Sequence, residues 1–238
     1  MLRMISTILI GYLYIIYKLP HLSRIKRSTS DFTNNQFKEE VHMITKRWAR
    51  LLVKLTGSTV TVHNESNIPK GPVLIVSNHQ GNFDIPVIIG YLQKPAGFLA
   101  KNEMKKVPFA SVWMEAIGCV LVKRNDRRGA IQAFHDSVEE LRRGQSLIVF
   151  PEGTRSKGTE IGQFKTGAIR MALEARIPIL PITVSGTYKI MEKNKGKKFT
   201  SSPIDLYIHK PLYLDDTTLE VKEITELIRN AIKYKDKS

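Results

Sequence analysis

Residues 72–84 read PVLIVSNHQGNFD, an apolar run that passes directly into a polar turn. The apolar part, residues 72–76, is short and rich in β-branched side chains, which predicts a buried strand. We expect a helix to begin at Asp84, because aspartate is a favoured N-cap and Pro86 would fall in the first turn, where a missing N–H is tolerated. His79 is therefore placed just beyond a buried strand, and Asp84 at the start of the next helix.

The spacing of His79 and Asp84 indicates a catalytic pair. Side chains five residues apart do not share a helix face, so these two can meet only across a tight turn, which Gly81 favours. Asp84 would then accept the proton of one imidazole nitrogen and leave the other nitrogen free as a base. Such a pair suits an enzyme whose nucleophile is a hydroxyl group of the substrate. A structural histidine or a metal pair is the alternative, although the remaining histidines are scattered without ligand spacing.

The composition is that of a folded and strongly basic protein. The chain has 238 residues, 42% hydrophobic and 25% charged, which is enough for one substantial core. Lysine and arginine outnumber aspartate and glutamate by 37 to 22, a net charge of +15. This charge predicts an anionic partner, which would be nucleic acid, a lipid surface or a phosphorylated substrate. The single cysteine, Cys119, excludes an intramolecular disulfide and is typical of a reducing compartment.

The amino-terminal run, residues 4–17, is apolar and rich in tyrosine, and basic residues follow it. Its 14 residues are few for a membrane span, which takes about 20. Cleavage as a signal peptide is not expected, because residues 18–20 are not small. An interfacial anchor, a short membrane span and a core helix all remain open. The next helix, predicted over residues 36–55, has an apolar stripe and is either packed on the core or lies on a membrane.

From Gly57 onward, segments typical of strands alternate with segments typical of helices. Strands are predicted at residues 60–62, 73–76, 97–100, 119–122, 146–150, 179–184 and 204–208. Helices are predicted at residues 85–92, 128–143, 166–175 and 219–234. This alternation predicts an α/β fold, a largely parallel central sheet flanked by helices and preceded by a membrane-associating helical element. We expect two domains, the amino-terminal helices over residues 1–55 and the α/β domain over residues 56–238.

Polar clusters follow four of the predicted strands. They lie at residues 78–84, 101–103, 123–125 and 151–156. In parallel sheets, ligands bind beyond the carboxyl ends of the strands, so we expect these clusters to line one cleft. A cleft with a histidine, acidic groups, several cations and glycine-rich turns suits phosphate binding together with base catalysis.

Four blocks of sequence resemble, in the correct order, the motifs of the glycerolipid acyltransferases. Residues 78–84 fit H-x-x-x-x-D, and residues 150–156 match F-P-E-G-T-R-S at every position. Residues 120–124 resemble the second motif, although Lys123 stands where an acidic residue is common, and residues 177–182 resemble the fourth, proline-containing block. The likeness covers about residues 70–185. It is greatest to those members of the family that acylate lysophosphatidic acid.

The resemblance implies transfer of a fatty acyl group from a thioester of coenzyme A or acyl carrier protein to the sn-2 hydroxyl of lysophosphatidic acid. His79 would be the general base, and Asp84 would hold its tautomer and stabilise the imidazolium. The family works without a cofactor, a metal or an acyl-enzyme. The residues agree with this, because the sequence contains no G-x-S-x-G, H-E-x-x-H or Walker A spacing.

The resemblance also implies a set of substrate-binding residues. Arg155 and Arg124 would hold the acceptor phosphate, and Lys101 is a further candidate for the same group. Glu152 is carried over from the motif and would position either Arg155 or the acceptor glycerol. The turn at Glu152 and Gly153 would supply N–H donors to the oxyanion. The complete expected set is Glu152, Gly153, Thr154, Arg155, Arg124 and Lys101.

Two alternatives remain open. The first is the same chemistry on glycerol-3-phosphate or on another lysophospholipid. The second is a basic module without enzymatic activity that binds membrane or nucleic acid through the lysine-rich run at residues 193–198. No aromatic residues interleave with that run, so we expect no nucleic-acid partner. The expected partners are a membrane lipid surface, lysophosphatidic acid and acyl-CoA or acyl carrier protein, with the enzyme on the cytoplasmic face of a membrane.

Overall fold

The computed structural model of the protein describes residues 1–28, 35–123, 126–214 and 218–233. The helices are α1 (Leu2–Tyr17), α2 (Leu19–Ser28), α3 (Asn35–Leu55), α4 (Asp84–Tyr91), α5 (Ala110–Ala116), α6 (Arg127–Arg142), α7 (Gly167–Ala175) and α8 (Val221–Lys233). The strands are β1 (Thr59–His63), β2 (Leu74–Ser77), β3 (Gly97–Lys101), β4 (Val120–Val122), β5 (Leu147–Val149), β6 (Ile179–Ser185) and β7 (Pro203–Ile208). Short 3-10 helices cover Glu65–Asn67, Asn102–Lys106, Thr187–Lys189 and Glu192–Asn194.

The seven strands form one sheet in the order β1-β7-β6-β2-β5-β3-β4. Neighbouring strands are parallel except β6 and β7, which are antiparallel. The predicted α/β fold with a largely parallel sheet is therefore confirmed. Strands β2 and β5 lie inside the sheet with every residue buried, which explains why both appear in the sequence as unbroken apolar runs.

Helices cover both faces of the sheet and bury an apolar layer on each. On one face, α6, α7 and α8 pack through side chains that include Leu141, Ala172 and Ile228. On the other face, α3 and α4 pack through side chains that include Val53 and Val87. The two layers hold the sheet rigid, and the loops at its carboxyl edge are therefore built on a fixed frame.

Strands β2 to β6 all run in the same direction, so their carboxyl ends lie along one edge of the sheet. His79 follows β2 and Glu152 follows β5, and these two strands are direct neighbours. Thr187 follows β6 on the other side of β2. Lys101 is the last residue of β3. The strand order thus brings the ends of β5, β2 and β6 side by side.

Helix α3 is packed into the body of the protein. Phe37, Val41 and Val53 are fully buried, and α3 contacts α1, α2 and α4. Of the two interpretations of this helix, the structure therefore supports packing on the core. Its exposed side carries cations that include Arg47 and Lys54. The division between residues 55 and 56 into two domains stays a prediction.

The first helical segment is longer than the apolar run suggested. Lys18 keeps a right-handed helical backbone between α1 and α2, so the helix does not end where the apolar residues end. The segment Leu2–Arg27 has 26 residues and is long and apolar enough to cross a membrane, by length and composition. The helix is therefore longer than the apolar run of 14 residues, because helical hydrogen bonding continues through Lys18, a basic residue outside the hydrophobic pattern.

Candidate active site

His79 and Asp84 meet across the turn between β2 and α4. His79 Nδ1 lies 2.6 Å from Asp84 Oδ2. The Asp84 side chain is 0% exposed, whereas that of His79 is 16% exposed. Because a carboxylate only accepts hydrogen bonds, the neutral imidazole carries its proton on Nδ1 and its lone pair on Nε2. Within the described part of the chain, Nε2 has no hydrogen-bond partner, so it is available to a substrate hydroxyl.

Asp84 is the first residue of α4 rather than its N-cap, so the N-cap prediction is wrong. Phe83 occupies the cap position without a side-chain hydrogen bond. Besides the histidine, the Asp84 carboxylate accepts the N–H of Gly81 at 2.9 Å and the hydroxyl of Thr187. The Asp84 carboxylate is buried, and these partners use its hydrogen-bonding capacity. It therefore does not cap the N–H groups of α4.

Buried amide side chains join the catalytic turn to the end of β6. The Asn78 side chain donates through Nδ2 to the carbonyl of Val184 at 2.9 Å, and its Oδ1 accepts the N–H of the same residue, Val184, at 2.8 Å. Gln80 accepts the N–H of Gly186 at 2.9 Å. Asn78 and Gln80 lie in the first predicted polar cluster but were not among the predicted site residues, and Thr187 was missed. A signal for Thr187 was present, because it lies just beyond the end of the buried strand β6, as the four recognised clusters lie beyond theirs.

An aromatic ring supports the imidazole from one side. The ring of Phe150 stacks on His79 with centroids 4.1 Å apart and an interplanar angle of 17°. Phe98 lies beyond it, with its centroid 6.2 Å from that of Phe150. Phe150 belongs to the F-P-E-G-T-R-S block but was not among the predicted site residues. The stack fixes the plane of the imidazole, while the contact with Asp84 fixes its rotation.

Glu152 connects the β5 loop to the backbone of the catalytic turn. Its Oε1 accepts the N–H of His79 at 2.7 Å, and its Oε2 accepts the N–H of Gly162 at 2.9 Å. Burial raises the pKa of Glu152, and the two N–H donors oppose this shift. The carboxylate therefore holds the histidine backbone, and of the two roles predicted for it, a hydrogen bond to Arg155 is not formed between these two described residues.

The turn that follows Glu152 is closed by its own hydrogen bonds. Gly153 has a φ of +70°, in the left-handed region that favours glycine. Its N–H donates to the carbonyl of Phe150 at 3.0 Å and is therefore not free for an oxyanion. The N–H of Ser156 donates to the carbonyl of His79 at 2.8 Å, which ties this loop to the catalytic turn. Thr154 is exposed at the outside of the loop.

Arg155 lies beside the catalytic turn. Its Nη1 donates to Asn82 Oδ1 and lies 3.4 Å from Glu192 Oε1. The side chain is 37% exposed, so a solvent anion can reach it. Lys101 is exposed at the end of β3, and no hydrogen bond joins it to the other site residues within the described ranges. Arg124 lies outside the described residues.

Comparison with known proteins places this chain in a family. Residues 59–185 match the model of the family described as Acyltransferase. A Borreliella burgdorferi protein named 1-acyl-sn-glycerol-3-phosphate acyltransferase is 33% identical over 185 residues, 76% of this chain and 73% of its own length. A Mycoplasma pneumoniae protein named probable 1-acyl-sn-glycerol-3-phosphate acyltransferase is 34% identical over 153 residues, 63% of this chain.

The similarity extends to the whole fold. The crystal structure of the 1-acyl-sn-glycerophosphate (LPA) acyltransferase from Thermotoga maritima superposes with a TM-score of 0.80 at 26% identity. The match covers 98% of this chain and 95% of that one. The chain spans only 58% of the length of the Mycoplasma pneumoniae relative and 50% of a chloroplastic relative from Brassica napus. The motifs, the sheet and these matches together show that this chain belongs to the acyltransferase family.

Proposed function

We propose that this chain is a 1-acyl-sn-glycerol-3-phosphate O-acyltransferase, which converts lysophosphatidic acid to phosphatidic acid. The observation that carries the proposal is the buried Asp84 on Nδ1 of His79, with Nε2 open and Arg155 beside the same turn. The names of the bacterial relatives support the choice of acceptor. The acyl donor in this proposal is a thioester of coenzyme A or of acyl carrier protein.

His79 acts as a general base in the proposed reaction. Its Nε2 takes the proton of the sn-2 hydroxyl while that oxygen attacks the thioester carbonyl. The new C–O ester bond forms, the C–S bond breaks, and the imidazolium returns the proton to the leaving thiolate. Asp84 stabilises the imidazolium through the Nδ1 hydrogen bond. General acid–base catalysis of this kind contributes about 10²–10⁴-fold in rate, and the proposed reaction requires no metal and no acyl-enzyme.

Arg155 binds the acceptor phosphate in this proposal. A guanidinium presents parallel N–H groups to phosphate oxygens, which gives both charge and orientation. The exposed part of Arg155 fits this role, since one of its nitrogens is already held by the turn. Arg124 and Lys101 stay candidates for the same phosphate.

An acceptor panel tests the proposed function. We expect detergent-solubilised protein with acyl-CoA or acyl-carrier-protein donors to acylate lysophosphatidic acid in preference to glycerol-3-phosphate or lysophosphatidylcholine. Preference for glycerol-3-phosphate or for a larger headgroup would assign the same chemistry to a different acceptor. Failure to acylate any acceptor, with intact binding to lipid vesicles, would instead support a basic membrane-binding module.

We propose that the protein docks on one membrane leaflet, at the cytoplasmic face, and the packing of α1 supports docking on a single leaflet. One side of α1 lies on α3: a Cβ at Gly11 would touch the Leu52 side chain at 2.5 Å, and Trp48 Nε1 donates to the Gly11 carbonyl at 3.1 Å. The remaining surface of α1 is apolar and exposed, with Leu2, Ile5, Ile8, Leu9 and Leu13. A perpendicular span would draw the cations of α3 into the hydrocarbon, which is costly.

We expect the exposed side of α1 to control attachment. Ile8→Glu should weaken binding to anionic vesicles, and it should impair use of bilayer-embedded acceptor more than use of short-chain soluble acceptor. Ile131→Glu on α6 is the matched control, because Ile8 and Ile131 are 56% and 50% exposed. High salt should loosen but not release the protein, whereas detergent should release it. Equal effects of the two substitutions on vesicle binding would refute this role for α1.

The topology of attachment can be measured separately. Tags placed before Met1 and after Ser238 should both be accessible from the cytoplasmic side only. Deleting residues 1–30 should likewise impair use of bilayer-embedded acceptor more than soluble acceptor. Tags on opposite sides of the membrane would make Leu2–Arg27 a true span, which its length permits.

A further inference from the structure

Glu192 is a buried acidic residue that neither the motifs nor the proposed chemistry uses. It opens the short 3-10 helix Glu192–Asn194 and is only 5% exposed. Its Oε2 is buried without a hydrogen-bond partner within the described part of the chain. Leaving a buried carboxylate oxygen unpaired is costly and rare in folded proteins. The position of this carboxylate therefore calls for a functional reason.

The other oxygen of Glu192, Oε1, contacts two residues of the candidate active site. Oε1 accepts the N–H of Asn82 at 2.8 Å and lies 3.4 Å from Nη1 of Arg155. The same Nη1 donates to the side-chain oxygen of Asn82. A guanidinium has five N–H donors in a fixed planar fork, so holding Nη1 orients the whole group. Among the described residues, Nη2 and Nε of Arg155 make no hydrogen bond and remain for a ligand.

Glu192 also lies against the glycine of the catalytic turn. A Cβ built on Gly81 would come 2.5 Å from Oε2 of Glu192. One carboxylate thus contacts Gly81, Asn82 and Arg155, and it connects the cation to the turn that carries His79. In the acceptor, covalent structure sets the distance between phosphate and hydroxyl. Fixing the guanidinium relative to the turn therefore sets the hydroxyl relative to the base.

We infer that Glu192 is a positioning residue, which orients Arg155 so that its free edge meets the acceptor phosphate in register with His79. This inference rests on the proposed function. Glu192 reaches the site through the segment that follows β6, the same segment that supplies Thr187 to Asp84. The end of β6 thus supports both the base and the phosphate site.

Glu192→Gln tests this inference, because glutamine keeps the shape and an oxygen for the Asn82 N–H but removes the charge that holds the guanidinium. We expect the apparent KM for lysophosphatidic acid to rise about tenfold or more, the effect of losing a charge-assisted hydrogen bond, with the donor KM unchanged. Adding Arg155→Lys should cause little further loss, because the two residues act as one unit. The matched control is Glu139→Gln, which removes an exposed ion pair with Arg143 and should change neither KM.

A binding measurement separates this inference from the proposed function. sn-Glycerol 3-phosphate at millimolar concentration should raise the Tm of the wild-type protein. The Glu192→Gln and Arg155→Lys variants should both require a higher concentration of sn-glycerol 3-phosphate for the same increase in Tm. Equal effects on donor and acceptor KM, additive losses in the double variant, or no stabilisation of the wild type would each overturn the positioning role. A wild-type protein that is stabilised in this way but turns over no lysolipid would instead contradict the proposed function alone.

Discussion

Replacing His79 with alanine is expected to lower kcat by about 10²–10⁴-fold, because the base that accepts the hydroxyl proton is lost. Asp84→Asn should lower kcat over a similar range. An asparagine at this position no longer stabilises the imidazolium, and its amide would favour the wrong tautomer of His79. Steady-state kinetics with saturating donor and acceptor measure both effects. Near-normal turnover by either variant would show that the base is assigned wrongly.

The two losses should not add. His79 and Asp84 are joined by a 2.6 Å contact and act as one unit, so the double variant should be about as inactive as the worse single variant. Independent, additive losses would show that His79 and Asp84 act separately.

Thr187→Val keeps the shape of the side chain but removes the hydroxyl that donates to Asp84, so we expect it to lower kcat about tenfold. Circular dichroism and Tm serve as the folding control for all of these variants.

Arg155→Lys is expected to raise the apparent KM for the acceptor about tenfold, with little change in the donor KM. Lysine keeps the positive charge but loses the planar fork that binds two phosphate oxygens at once. Arg155→Ala should raise the acceptor KM further, because it removes the charge as well. The measurement is KM for lysophosphatidic acid at saturating thioester and KM for the thioester at saturating acceptor.

A second acceptor shows whether the effect of Arg155→Lys depends on the phosphate monoester. Lysophosphatidylcholine carries no phosphate monoester, so any residual turnover with it should be affected less by the change at Arg155. Lys165→Gln provides a control for general loss of positive charge near the loop, since Lys165 Nζ lies 3.2 Å from the Cβ position of Gly153. A variant of Arg155 with a defect only in donor KM would place this residue on the thioester instead.

Local sequence patterns were sufficient for most helices and strands. The predicted strands at residues 73–76 and 146–150 agree closely with β2 and β5, because strands buried on both faces appear as unbroken apolar runs. The predicted helix over residues 128–143 agrees with α6, whose apolar positions recur with helical spacing. The pattern did not predict α2 or α5, because α2 is rich in charged residues and α5 is only 7 residues long.

The order of the strands could not be read in this way. An apolar run looks the same whether its neighbour is parallel or antiparallel, so nothing local reveals that β7 runs opposite to β6 or that β1 pairs with β7. These pairings depend on which edges remain open after the central strands have packed. The direction of β7 is thus a property of the assembled sheet.

The same distinction between local pattern and tertiary structure applies to the candidate active site. The sequence by itself determined the pair His79 and Asp84 and the F-P-E-G-T-R-S loop, since each is a short local pattern beyond the end of a buried strand. Only the tertiary structure decided what supports them: Thr187 lies 103 residues from Asp84 in sequence, and Glu192 lies 110 residues from Asn82. Hydrogen bonds between such distant groups leave no periodic trace in the chain. They form because β6 lies beside β2, and the ends of both strands then share one edge of the sheet.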